Sequence, residues 1–291
     1  MKKKFLLIVS AVLTAALIAG CSGNGSQSSE ASKKESKASA ASAVSETSKS
    51  DDSKTDSDES KESKEESKEE SKKESSAENT GDLADPSWFD DAVFIGDSVT
   101  LKLSYFVEDH DDLGKAEFLC AGSLGYTNAL WDLDHEDNVH PTLNGEKITV
   151  DDGAKALGSK KIFIMLGMND IGLYGVDGAV SSMIELTDKI HEKCPDAVIY
   201  IESVTPMVAN SSLGGLNNET IKEFDEKIQP ICEEKGYKYL DVASAVSDEN
   251  GDLIYEYCGD PPTDDNPDGM GLHFTDAGCQ KWADYLRANV K

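Results

Sequence analysis

The stretch Val93-Phe94-Ile95-Gly96-Asp97-Ser98-Val99-Thr100 decides how the chain is read. Ala92 to Ile95 is a short apolar run of the kind that forms a buried strand. It breaks at Gly96 into a small polar turn, and a helix is expected from Leu101 to Val107. A serine at the tip of a strand-to-helix turn exposes its hydroxyl and aims its backbone N–H into the same space. That placement suits a nucleophile beside an oxyanion donor. Asp97 and Ser98 are also good helix caps, so the turn read alone can equally be a simple cap.

The stretches that follow repeat the pattern. Ala116 to Cys120 reads as a second strand, running into Ala121-Gly122-Ser123-Leu124-Gly125-Tyr126-Thr127. Trp131 to Thr149 is polar and turn-rich, with a small hairpin around Asn144-Gly145. A short helix is expected over Asp151 to Leu157. Lys161 to Leu166 is a buried strand ending at Gly167-Met168-Asn169-Asp170, and a helix is expected from about Gly178 to Lys193. Ala197 to Ser203 is the next strand, ended by Pro206. Ile221, Phe224, Ile228 and Ile231 mark a helix over Glu219 to Lys235. Tyr237 to Asp241 is a short last strand, and Asp276 to Val290 the last helix. Alternating strands and helices argue for an α/β fold with a mostly parallel sheet between helical layers. Ligands of such sheets sit beyond the carboxyl ends of the strands. Ser98, Gly125 and Asn169 all follow a strand's end, so three polar turns point to one face.

Four motifs, in order, resemble the SGNH or GDSL-type esterases and acylhydrolases over nearly all of residues 88–291. Gly96-Asp97-Ser98 is similar to the nucleophile block and Ser123 to Thr127 to the glycine block. Gly167-Met168-Asn169-Asp170 is similar to the G-x-N-D block, and Asp268-Gly269-Met270-Gly271-Leu272-His273 to the histidine block. The resemblance implies a three-layer, flavodoxin-like fold with a five-stranded sheet. It implies Ser98 as nucleophile and His273 as general base. The oxyanion hole it implies is the N–H groups of Ser98 and Gly125 with the Asn169 side-chain amide. Asp97 and Asp170 are expected to brace turns. No cofactor is implied.

One position departs from the family pattern. The family places Asp three residues before the histidine, where this chain has Met270. A lengthened loop is expected to return Asp268 to His273. Otherwise a Ser–His pair is left, since the orienting role needs an acceptor and not necessarily a carboxylate. Asp264 to Gly269 also matches the first six positions of a calcium loop, D-x-N-x-D-G, without its closing Glu. Ala121 to Gly125 approximates a G-x-S-x-G elbow, which would make Ser123 the nucleophile of an α/β-hydrolase. His191 is expected to face solvent, and His110, His135 and His140 lie in acidic loops. Trp131, Tyr126 and Tyr174 either stack on a sugar ring or cover the core.

The N-terminal third has a different composition. Lys2 to Lys4 precede an apolar run, Phe5 to Ala19, that is short for a membrane span and fits a signal peptide. Ile18-Ala19-Gly20-Cys21 resembles the bacterial lipobox, which marks Cys21 for lipidation. Residues 21–80 form a Ser/Glu/Lys-rich tether with too little apolar surface to fold. The formal net charge is -28, of which about -26 falls on residues 81–291. Such a domain does not bind nucleic acid or anionic wall polymers through charge. Beyond Cys21, five cysteines remain; an odd number precludes complete internal pairing, and a Cys258–Cys279 bridge around the His273 region is left open. The expected protein is a lipid-anchored esterase at the extracellular face of a bacterial membrane, with its hydrolase domain in residues 81–291. Its expected substrate is an acylated small molecule or glycan, with acetyl the leading acyl group. A non-catalytic glycan-binding lipoprotein or an O-acyltransferase would use the same fold.

Overall fold

Five parallel strands form the sheet in a computed structural model that describes residues 83–290. The leader, Cys21 and the tether lie outside the described residues. In chain order the strands are β1 (Ala92–Gly96), β2 (Glu117–Cys120), β5 (Lys161–Met165), β6 (Val198–Glu202) and β7 (Lys238–Leu240). The short strands β3 (Thr142–Leu143) and β4 (Glu146–Lys147) pair as the expected hairpin, with Asn144 and Gly145 both at positive φ. The sheet order is β2-β1-β5-β6-β7. The order therefore reverses between β1 and β5, and this is where open α/β sheets bind ligands.

An aromatic ladder fixes the register. Phe94 stands opposite Phe118 and Phe163, and Phe163 opposite Tyr200. The four rings stack in a row across β2, β1, β5 and β6 with centroids 5.1, 4.5 and 4.5 Å apart. These spacings match the distance between neighbouring strands, about 4.8 Å. A 3-10 turn, Pro86–Phe89, brings Trp88 and Phe89 against the ladder. The alternate residues Val93, Ile95, Ile162, Ile164, Ile199 and Ile201 are buried on the other face. Both faces are covered, as a parallel sheet requires.

The helices form two packed groups. Helix α1 (Ser98–Asp109) and α6 (Val242–Val246) pack on α7 (Asp276–Asn289). Helices α2 (Tyr126–Ala129), α3 (Val150–Leu157) and α5 (Asn218–Lys235) pack on α4 (Met168–Lys193). Two helices begin earlier than the sequence pattern indicates. Asp97 caps α1 at once, so it starts at Ser98. Likewise α4 starts directly after Gly167 and runs through a break at Gly175, whose φ is 71°. That glycine masks the first turns in the apolar periodicity.

At the end of β6, a carboxyl oxygen of Glu202 accepts the Trp282 indole N–H at 2.6 Å. Both side chains are buried, and the second Glu202 oxygen has no protein partner. Burial pushes the Glu202 carboxyl up to about 8.

Two outcomes follow for stability. Phe163→Ala removes the ladder's centre and should cost about 3–5 kcal/mol, read as a lower urea midpoint. Glu202 holds its proton in the folded chain while the unfolded chain releases it near its ordinary value. Its stabilising proton is fully shared by both states below about pH 4.5, and the folded state loses ground as pH rises toward 8. The slope is at most about 1.4 kcal/mol per pH unit. Melting curves from pH 5 to 8 should therefore fall more steeply for the wild type than for Glu202→Gln. Parallel curves would contradict the assignment.

Candidate active site

The turn after β1 leaves no room for a side chain at Gly96. A Cβ there would stand 1.9 Å from Thr100 Oγ1 and 2.9 Å from the Met165 carbonyl. The first turn of α1 thus packs directly onto the ends of β1 and β5. Asp97 is the N-cap, and its carboxylate accepts the Val99 N–H at 2.9 Å. Burial pushes the Asp97 carboxyl up to about 6, against the pull of that hydrogen bond and of nearby His273. Ser98 is the first residue of the helix, so no intrahelical carbonyl takes its N–H.

His273 reaches Ser98 from the other end of the chain. Its Nε2 lies 2.9 Å from Ser98 Oγ, and its Nδ1 lies 2.7 Å from Oδ2 of Asp260. With the Nδ1 proton donated to Asp260, Nε2 is left to accept the serine O–H. The carboxylate on His273 is therefore that of Asp260 and not the expected Asp268, which is exposed on the loop. The reason is a short antiparallel pairing. Gly259 N–H donates to the His273 carbonyl at 2.7 Å, Thr275 N–H to Tyr257 at 2.8 Å, and Gly271 N–H to Asp260 at 3.0 Å. Asp260 and His273 thus face each other across two chain arms, and residues 261–270 form an excursion beyond them. Oδ1 of Asp260 accepts the N–H groups of Leu272 and His273 at 3.1 and 3.0 Å and the Cys258 thiol at 3.5 Å. Partial burial alone would raise the Asp260 carboxyl, but the His273 side chain and these N–H groups hold it below its ordinary value.

The excursion is tied to itself. Thr263 and Asn266 exchange backbone hydrogen bonds, and the Asn266 amide donates to the Pro261 carbonyl at 3.2 Å. Among the described residues, no three His, Cys, Asp or Glu side chains gather to hold a metal ion. Cys258 and Cys279 are both free thiols, so the pairing that the sequence left open is not made.

The remaining polar turns meet below the same edge. Asn169, in the first turn of α4, donates from Nδ2 to the Leu124 carbonyl at 2.9 Å. Its second amide proton is left for the cleft. Asp170 accepts the N–H groups of Tyr126 and Thr127, both at 2.8 Å, and burial raises its carboxyl. Asp97 and Asp170 both brace turns. Gly125 sits so close to Asp170 that a Cβ would lie 2.5 Å from its carboxylate. The Gly125 N–H, expected as an oxyanion donor, donates to Asn128 Oδ1 at 2.8 Å. That local bond was not legible from the glycine block, because Asn128 is the residue just after it.

Ser98, Asn169 and His273 line one cleft of about 580 Å³, together with Ser123 and several apolar side chains. Gly125 and Asp268 do not line it. Ser123 is exposed, with φ 62°, and the histidine lies against Ser98. The elbow reading of Ser123 therefore has no base. Tyr126 is fully buried in the core, and Trp131 stacks on His135 with centroids 4.0 Å apart. His140 is buried, with Nε2 against the Trp131 carbonyl.

Comparison with known proteins gives the family. A model of the GDSL-like lipase/acylhydrolase family matches residues 94–281. No curated protein matches the chain in sequence. A Streptococcus pneumonia protein whose name refers to platelet activating factor is similar in structure, at 19% identity and a TM-score of 0.50, covering 72% of this chain and 85% of its own. A GDSL-like lipase from Bacteroides thetaiotaomicron gives 15% and 0.49, covering 70% and 89%. A carbohydrate esterase of family 3 from Talaromyces cellulolyticus gives 13% and 0.44, covering 67% and 93%. At such identities the first of these likenesses bears on the fold alone. The family model spans the turn of Ser98, the turn of Asn169 and the arm of His273 on one five-stranded parallel sheet, and the chain belongs to the GDSL-like lipase/acylhydrolase family of hydrolases.

Proposed function

We propose that the chain is a serine esterase that works through an acyl-enzyme on Ser98. The observation that carries this reading is the line from Ser98 Oγ to His273 Nε2 at 2.9 Å and from His273 Nδ1 to Asp260 at 2.7 Å. A serine hydroxyl is a weak nucleophile until a base takes its proton. His273 accepts that proton as Ser98 Oγ bonds to the ester carbonyl carbon. Asp260, ionised and held by backbone donors, keeps the ring oriented and stabilises the imidazolium. The Ser98 N–H and the Asn169 amide donate to the oxyanion. The intermediate collapses, the alcohol leaves with the proton from His273, and a water activated by the same ring releases the acid.

Location is part of the proposal. The apolar leader, the lipobox-like run ending in Cys21 and the polar tether support an anchored hydrolase domain at the outer face of a bacterial membrane. A random-coil tether of that length reaches about 40–50 Å. This setting favours an acetyl ester on a glycan, or acyl transfer to a sugar hydroxyl in place of water. Two of the three aromatic side chains that would have stacked on a sugar, Tyr126 and Trp131, are engaged elsewhere.

Hydrolysis of an activated ester by single variants tests the roles. Ser98→Ala should lower kcat at least about 10³-fold, and Asp260→Asn on the order of 10³–10⁴-fold. Asp268→Asn should stay within about twofold of wild type. The reverse pattern, with Asp268→Asn inactive and Asp260→Asn active, would overturn the assignment.

A further inference from the structure

The cleft beside Ser98 has a wall that the hydrolytic chemistry itself does not use. Met168, Leu173, Leu213, Leu216, Met270 and Leu272 line it. They come from three segments: the start of α4, the loop before α5, and the arm leading to His273. Leu173 is 77% exposed, Met270 44% and Leu213 38%. A lone exposed leucine is ordinary. Three of them converging on a cleft beside a nucleophile make a surface that a ligand covers.

The wall is built and not incidental. Leu213 and Leu216 close a small loop by exchanging backbone hydrogen bonds at 2.9 and 3.0 Å. That loop lies backbone to backbone on α4: a Cβ on Gly172 or Gly215 would stand 3.4 Å from a facing carbonyl. Gly271, at φ +75°, ties in the third segment. Its carbonyl accepts the Val208 N–H at 2.8 Å, and a Cβ there would meet Ser211 Oγ at 2.5 Å. The lining holds no lysine or arginine, and its one carboxylate, Asp97, is buried and occupied as a cap. A phosphate or carboxylate on the substrate would meet no cation here, and a sugar would find few partners for its hydroxyls.

We propose that this wall is an acyl-chain subsite and that the preferred substrate is a neutral ester whose apolar acyl chain is longer than acetyl. The inference rests on the Ser98 reading above. It departs from the acetyl ester to which the location alone points.

The test uses the full chain with monomeric p-nitrophenyl acetate, butyrate, hexanoate and octanoate below their aggregation limits, beside fluorophosphonate labelling mapped by mass spectrometry. Each buried methylene is worth about fourfold in binding. Because the rim is partly open, kcat/KM for hexanoate should exceed that for acetate by at least about tenfold. Leu173→Gln and Met270→Gln, both at exposed positions, should each lower the hexanoate-to-acetate ratio at least about threefold. Labelling at Ser98 with acetate equal to or better than hexanoate would overturn the subsite and leave the esterase reading standing. A chain-length preference unmoved by both variants would overturn its placement at this wall. No labelling and no turnover of any ester would overturn both readings.

Discussion

The stacked rings of Phe118, Phe94, Phe163 and Tyr200 are the constraint on which the rest depends. Each ring lies opposite its neighbour in a parallel ladder, so a slip of one residue in any strand would turn a ring to the wrong face. Holding that register brings the ends of β1 and β5 to one level, with Gly96 paired to Met165. The missing Cβ at Gly96 then lets α1 start at once. The serine and the asparagine that follow these two strands are placed at the point where the strand order reverses. Packing in the core and chemistry at the edge are thus linked by register.

Three carboxylates lie around this edge, and their surroundings separate their roles. Asp97 is buried and caps a helix, with its carboxyl pushed up to about 6 by burial. Asp170 is buried and holds the N-terminus of α2, and its carboxyl is raised as well. Asp260 is partly open, touches His273 and gathers backbone donors, and its carboxyl is lowered. A carboxylate that must stay charged beside an imidazolium belongs in the third kind of setting. The first two stabilise the turns that carry the serine and the glycine.

Much of this was legible in the sequence. The apolar runs ending at Gly96, Cys120 and Leu166 are strands, and the polar residues after them do lie at one edge. Ser98, Asn169 and His273 line the cleft as their motifs imply. The orienting carboxylate was not legible, because sequence separation is no guide to a contact made across two paired arms. Asp260 is thirteen residues before His273, and the loop between them contains three other aspartates. The start of α4 was hidden by Gly175, whose non-helical backbone (φ 71°, ψ 172°) separates a short first helix, begun at Met168, from the longer one that the periodicity marks. The role of Gly125 was only half legible, since the motif says nothing of the Asn128 side chain that takes its N–H. The apolar wall was invisible for the same reason as Asp260: its side chains come from segments distant in sequence.

The central claim is that Asp260 holds the imidazole of His273 against Ser98. The most direct measurement is a proton NMR spectrum of the chain with ¹⁵N-labelled histidine. The account predicts a low-field, exchange-protected Nδ1 proton from His273 that is lost in Asp260→Asn and retained in Asp268→Asn. Its persistence in Asp260→Asn, or its loss in Asp268→Asn, would contradict the account.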